Sequence, residues 1–384
     1  MRFEFATATR IVFGVGSLRE VAPAARQWGL RALLVTGRNG ARSVALVEQL
    51  ESAGLTSAMF LVEGEPTVAA VREGVRTAHE NRSEVVIAMG GGSAIDAGKA
   101  IAALLRNGPE PLDFLEVVGR GLPLTHPSAP FIAIPTTAGT GSEVTRNAVL
   151  ASPEHGVKAS LRSPHMLPRL AVVDPELTRD LPAALTASTG LDALAQLLEA
   201  WVSVRANPIA DGFCTEGLPR VARSLRRVYQ NGGDVEARTD MSLAALLSGL
   251  ALANAGLGAV HGFAAPVGGM FDAPHGAVCA TLLPHVTAVN IAALRSRAPE
   301  SEPLRRYSEA ARKVTGNALA TADDLAPWLL DLCRDLQIPS LGAYRIGEQH
   351  AADLAEKAAA ASSMKGNPIM LTAEELREIL ARAL

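Results

Sequence analysis

The apolar run Val85-Val86-Ile87-Ala88-Met89 ends directly on Gly90-Gly91-Gly92, and a helical pattern follows at once. A run that is apolar at every position suits a strand buried on both faces of a parallel sheet, because a strand with one wet face alternates. Three glycines remove three Cβ atoms from the turn, so a ligand is able to approach the backbone. The helix beyond offers free N–H groups and a positive dipole end, both of which favour phosphate or pyrophosphate. A strand, a glycine turn and a helix in this order restrict the region to an α/β layout and point to a nucleotide-type ligand.

The same alternation recurs through the first half. Residues 31–36, 131–134 and 170–173 read as further strands, with helical patterns at 42–53, 68–81 and 94–105 between them. This is a βαβ layout. After Asp174-Pro175 no strand is expected. Residues 184–201, 208–229, 237–253, 304–314, 325–336 and 373–383 read as helices. The 384 residues exceed the roughly 250–300 at which single cores stop growing. The expectation is an α/β N-terminal dinucleotide-binding domain with a parallel sheet over residues 1–178, and an all-α C-terminal domain over residues 179–384.

Composition narrows the function classes. Lys plus Arg number 36 against 39 Asp plus Glu, a net charge of −3, which gives no electrostatic reason to expect nucleic acid or an anionic membrane. Aromatic residues are 4% of the chain, too few for base-stacking platforms. Residues 242–271 carry no Asp, Glu, Lys or Arg, long enough by count to span a bilayer. Six glycines, Asn254, His261 and Pro266 lie within them, so a buried helix running into an irregular segment explains the stretch better than a spanning helix. The N-terminus shows no secretory pattern. Cys214, Cys279 and Cys333 are odd in number and widely spaced, as in a reducing cytoplasm, and sit in apolar helical patterns as small buried hydrophobes.

Two familiar phosphate motifs are absent. Gly98-Lys99 has Ser93 five residues before Gly98 and Ala100 after Lys99, so it is not an NTPase loop. Gly14-Val15-Gly16 lacks the third glycine of a dinucleotide fingerprint. A second loop, Ile134-Pro135-Thr136-Thr137-Ala138-Gly139-Thr140-Gly141-Ser142-Glu143, follows another strand and presents four hydroxyls suited to phosphate and ribose.

Asp192 and Gln196 are four apart and share one helical face. His261 and His275, each followed by glycine, are 14 residues apart, about 21 Å along one helix. Pro266, Gly268-Gly269 and Pro274 break such a helix and let the imidazoles converge. A carboxylate with two imidazoles suits Zn or Fe with a position open for substrate. The competing reading makes each histidine a buried residue with hydrogen bonds of its own.

Taken in order, these segments resemble the iron-containing (group III) alcohol dehydrogenase family over nearly the whole chain. The matches run from Arg10-Ile-Val-Phe-Gly-Val-Gly-Ser-Leu18 and Glu65-Pro66-Thr67 through Gly90-Gly-Gly-Ser-x-x-Asp96-x-x-Lys99 and Pro135-Thr-Thr-x-Gly-Thr-x-Ser-Glu143. They continue with Lys158, Asp174-Pro175, Asp192-Ala193 with Glu199, His261-Gly262, and His275-Gly276 with Leu283-Pro284-His285. The resemblance implies a dehydroquinate synthase-like fold with the active site between a dinucleotide domain and a helical metal domain. It implies that Gly90, Gly91, Gly92, Ser93 and Asp96 belong to the pyrophosphate turn. Thr136, Thr137, Thr140 and Ser142 would line the nicotinamide end, and Lys158 would lie near the ribose and nicotinamide. Asp192, His261 and His275 match three of the four family metal ligands.

Three positions depart from the pattern. The fourth ligand, usually histidine, is Gln196, and a neutral amide is a weaker ligand for Zn or Fe(II). A histidine often found four residues after the His261 position is Ala265, which removes a proton-relay member. Gly37 stands where many members carry Asp, which leaves room for a 2′-phosphate that Arg38 or Arg42 could pair with. The expectation is a cytoplasmic, homodimeric, metal-containing NADP(H)- or NAD(H)-dependent dehydrogenase acting on a small alcohol–carbonyl pair, with neither nucleic acid nor membrane as partner. A maleylacetate-reductase-like reductase of oxo acids, a lyase of the dehydroquinate-synthase type and a non-catalytic dinucleotide-binding protein are the rival readings.

Overall fold

The structure, a computed structural model, describes residues 2–37 and 43–384. Two compact units divide the chain: Ala6–Arg179, and Asp180–Leu384 together with the segment up to Phe5. The earliest residues, expected with the α/β domain, go with the helical unit, where the Phe5 ring lies 5.8 Å from that of Phe213.

In Ala6–Arg179 the strands are β1 (Ile11–Phe13), β2 (Arg31–Gly37), β3 (Thr56–Val62), β4 (Val85–Gly90), β5 (Phe131–Pro135), β6 (Asn147–Ser152), β7 (Val157–Arg162) and β8 (Leu170–Val173). The helices are α1 (Val21–Arg26), α2 (Val44–Ser52), α3 (Val68–Glu80) and α4 (Gly92–Asn107). Six strands form a parallel sheet in the order β1-β8-β5-β4-β2-β3. β4, β5 and β8 are buried at every residue because helices cover both faces. Leu33, Val35, Val86, Ala88, Phe131 and Ala133 face one core with Val71, Val75 and Ile101 of the helices. Their neighbours Ala32, Leu34, Ile87, Ile132 and Ile134 face the other, with Val21, Leu46 and Leu50. That division is the period-2 alternation of a strand.

β2 pairs with β3 on one side and β4 on the other. The strand order therefore reverses between β2 and β4, and ligands of open α/β sheets bind at the carboxyl ends of such a pair. Gly37 ends β2 and Gly90 ends β4. β6 and β7 form a separate antiparallel hairpin, which the sequence reading did not anticipate. Arg38 and Arg42, expected near a 2′-phosphate, lie outside the described residues.

The second unit is helical: α5 (Ala183–Val202), α6 (Pro208–Gln230), α7 (Val235–Ala255), α8 (Ala259–Met270), α9 (His275–Arg297), α10 (Glu302–Thr315), α11 (Ala322–Asp335), α12 (Ala351–Ala360) and α13 (Ala373–Ala383). The uncharged stretch 242–271 becomes the end of α7 and all of α8, bent by 98°. Helix α8 keeps Pro266 inside and ends only at Met270, so the break falls at 271–274 rather than at the proline. Among the described residues α9 is long and apolar enough to cross a membrane, and its most apolar stretch is 83% buried inside the unit.

Candidate functional site

Helix α5 places Asp192, Gln196 and Glu199 on a buried face. His261 sits in the first turn of α8, and His275 opens α9 with Cys279 one turn later. The two imidazole centroids are 5.5 Å apart, against about 21 Å on a continuous helix. The turn between α8 and α9 achieves this convergence. Gly276 is needed there, because a Cβ at that position would lie 2.8 Å from the Ser188 carbonyl oxygen of α5.

Asp192, His261, His275 and Cys279 each bring one ligand-type atom to within 4.8 Å of all the others. Asp192 Oδ1 lies 3.3 Å from His261 Nε2 and 3.8 Å from His275 Nε2. Asp192 is 1% exposed, and its Oδ1 makes no hydrogen bond. A buried carboxylate oxygen without a donor is costly unless a cation stands against it.

The surrounding groups fix the ligand geometry. His261 Nδ1 donates to Glu199 Oε2 at 2.6 Å, while Glu199 Oε1 accepts from the Val260 amide at 2.7 Å. With Nδ1 committed as donor, the neutral ring turns the Nε2 lone pair towards Asp192. Asp192 Oδ2 accepts from Gln196 Nε2 at 3.1 Å. A carboxylate only accepts, so Gln196 directs its NH2 end to Asp192 and its carbonyl end to Ser248, whose hydroxyl donates to it at 2.6 Å. Gln196, expected as the fourth ligand, is thus engaged at both ends.

Burial opposes a charged imidazole at His261, but Cys279, Glu199 and Asp192 outweigh it and hold its pKa well above the usual value. The interaction with Cys279, working against burial, pushes His275 up to about 9. Burial likewise disfavours the Asp192 carboxylate, yet the two imidazoles hold its pKa below the usual range. The group therefore attracts positive charge, either as protons or as a metal ion. His275 is 43% exposed at its side chain and forms the accessible side.

In the α/β unit the glycine turn performs two tasks. The N-cap of α4 is Gly91, which has no side chain to cap the helix, so the first N–H groups remain available. A Cβ on Gly91 would lie 3.3 Å from Thr137, one on Gly92 would lie 2.9 Å from Thr140, and one on Gly90 would lie 3.7 Å from the Gly37 amide nitrogen. The missing Cβ atoms thus bring the hydroxyl loop and the end of β2 against the turn. Ser93 follows in the first turn of α4. The Thr136 amide donates to the Gly90 carbonyl at 2.9 Å, which ties the two loops together.

Asp96 and Ser142 are committed internally. The Ser142 hydroxyl donates to Asp96 Oδ1, and the Val149 amide donates to Asp96 Oδ2 at 2.9 Å. Lys158 Nζ lies 2.6 Å from Glu65. A Cβ on Gly37 would meet nothing within 4 Å. The Gly14-Val15-Gly16 segment serves structure: the Gly16 and Leu18 amides both donate to Asp174 at 3.1 Å.

Sequence reasoning missed one member of the metal-type cluster, Cys279, and the carboxylate that orients His261, Glu199. Glu199 was only a match in a motif, though its place seven residues after Asp192 puts it two turns along the same face. Cys279 was grouped with the buried hydrophobes. That reading suits Cys214 and Cys333, whose thiols burial pushes up, Cys333 to about 12, but Cys279 faces two imidazoles. The i, i+4 spacing from His275 was the signal.

Comparison with known proteins gives a consistent picture. The family profile described as iron-containing alcohol dehydrogenase matches residues 8–175, and its C-terminal counterpart matches residues 186–384. Alcohol dehydrogenase 4 of Saccharomyces cerevisiae is 35% identical over 378 residues, covering 97% of this chain and 96% of the relative. The NAD-dependent methanol dehydrogenase of Bacillus methanolicus is 32% identical over 381 residues, covering 97% of each. A solved structure of 1,3-propanediol oxidoreductase superposes with a TM-score of 0.92 at 32% identity, over 100% of both chains.

Proposed function

The chain belongs to the iron-containing alcohol dehydrogenase family, and from that membership we propose how its own residues carry out an alcohol–carbonyl interconversion. The relatives favour this oxidoreductase chemistry over oxo-acid reduction and over lyase chemistry. The observation that carries the residue assignment is the convergence of Asp192, His261 and His275 around a buried carboxylate oxygen that lacks a donor. A divalent metal held there supplies a Lewis acid for the substrate oxygen, and the nicotinamide supplies or accepts the hydride.

The chain does the rest. Asp192, His261 and His275 hold the metal. Glu199 fixes the tautomer of His261, and Gln196 orients Asp192 through its amide NH2. The turn Gly90-Gly91-Gly92-Ser93 and the start of α4 receive the pyrophosphate. Thr136, Thr137 and Thr140 offer hydroxyls to the nicotinamide end, and Lys158 serves the ribose. Asp96, Ser142 and Lys99 act as the brace that keeps the hydroxyl loop against the turn. Ala265, one turn after His261, offers no titratable proton, so the relay that a histidine there would supply is missing. The open space at Gly37 supports NADP(H), since no carboxylate stands there to repel a 2′-phosphate. Three unpaired buried cysteines suit the cytoplasm.

The test is consumption of NADPH or NADH by the purified protein over a panel of aldehydes and ketones. The reading predicts turnover that a chelator abolishes and a divalent metal restores. Metal-loaded protein that oxidises neither cofactor with any carbonyl would contradict it.

A further inference from the structure

We propose that Cys279 is the fourth metal ligand of this chain, a thiolate standing in for the weak amide of Gln196, and that the centre is therefore suited to Zn(II) over Fe(II). The inference rests on the reading of Asp192, His261 and His275 as a metal site. Cys279 is fully buried, and its Sγ lies 3.6 Å from His275 Nε2 and 3.8 Å from His261 Nε2.

A tetrahedral ion with bonds of about 2.1 Å to N and O and about 2.3 Å to S requires edges of about 3.4 Å between N and O and about 3.6 Å between N and S. The chain presents N···O separations of 3.3 and 3.8 Å and N···S separations of 3.6 and 3.8 Å. The shorter separation of each kind, 3.3 Å for N···O and 3.6 Å for N···S, is within about 0.1 Å of the ideal edge, the longer ones exceed it by a few tenths, and the remaining two of the six edges lie within 4.8 Å. The alternative role for Cys279, a hydrogen-bond donor, fits less well. One S–H serves one acceptor, whereas the sulfur faces two imidazole nitrogens at nearly equal distance. Gln196 turns its amide NH2, which only donates and is not a metal ligand, towards Asp192, while its carbonyl oxygen accepts from Ser248.

Ligation breaks the S–H bond and forms the metal–sulfur bond, and the proton leaves to solvent. A soft thiolate beside two imidazoles favours Zn(II), whereas hard oxygen donors favour other ions.

The experiment titrates chelator-treated, full-length protein with Co(II) without oxygen. It follows the thiolate-to-cobalt charge-transfer absorption in the near ultraviolet and the ligand-field bands in the visible. The proposal predicts a charge-transfer band that saturates at one Co(II) per chain in the unmodified protein. Cys279→Ser and Cys279→Ala should keep the ligand-field bands, lose the charge-transfer band, and bind Zn(II) in competition at least about 10-fold more weakly. Ligand-field bands at one equivalent without charge transfer in the unmodified protein would overturn the thiolate ligand while leaving the three-ligand site standing, and this holds whether or not the variants fold. Failure of the unmodified protein to bind either ion would overturn the site itself.

Discussion

Each unit buries a charged side chain, and the two are treated oppositely. In the α/β unit Lys99 is fully buried, and its ammonium donates to Ser142 at 2.9 Å, Thr145 at 2.9 Å and the Asn147 carbonyl at 2.6 Å, with Asp96 at 3.4 Å. All three ammonium protons have acceptors. Burial lowers its pKa, and Asp96 opposes that shift. In the helical unit Asp192 keeps one oxygen without a donor and faces two imidazoles and a thiol. A buried charge saturated by its own chain holds structure together. One surrounded by further lone pairs marks a place for a cation.

The contrast breaks most visibly if Asp192 is replaced. Asp192→Ala should lower carbonyl reduction by about 10³-fold or more, since Lewis-acid stabilisation amounts to several kcal/mol. Metal content should fall with activity, while NADPH binding, followed by fluorescence, should persist. Loss of both would make Asp192 merely structural.

Lys99→Met is the reciprocal change. It leaves Asp96 and three acceptors without their cation, and the denaturation midpoint should fall by the equivalent of about 3–5 kcal/mol. NADPH binding should weaken as the hydroxyl loop loosens, and metal per chain should stay constant.

Glu143 sharpens the picture. Burial pushes its carboxyl up to about 7, although Lys99 opposes the shift, against about 4.3 for an unfolded chain. Between those values the folded protein holds a proton that the unfolded chain has lost. Its contribution is complete below about pH 4.3 and is lost as pH rises through 7, by about 4 kcal/mol at most. Glu143→Gln stays neutral, so it should match the unmodified protein near pH 4.5 and be more stable at pH 8. Equal stability at both pH values would mean that Glu143 is not buried as a costly charge.

The smallest effect belongs to Gly37→Asp, which touches neither cluster. It should lower kcat/KM for NADPH relative to NADH by about 10-fold. An unchanged ratio would remove the cofactor argument.

The legible parts of the sequence were those where one physical pattern dominates. β4, β5 and β8 are buried on both faces and read as unbroken apolar runs. β3 is an edge strand with Met59 and Leu61 exposed, and it was missed although Ala58-Met59-Phe60-Leu61-Val62 is an apolar run as unbroken as that of β4. Helices α8 and α9 were hidden by Pro266, Gly268-Gly269 and Pro284, which tertiary packing tolerates inside helices. The pair His261 and His275 was visible as residue types, because the breaks between them allowed convergence. Cys279 was not, because its role arises only when α9 turns its first two turns towards α5 and α8. Gln196 was visible as a departure, but its engagement by Ser248 depends on a residue 52 positions away.

The account stands most directly on metal content. Protein purified without added metal should carry about one divalent ion per chain by elemental analysis, and His261→Ala should carry almost none. Metal near zero in unmodified protein that still reduces aldehydes with NADPH or NADH would contradict the assignment of Asp192, His261 and His275.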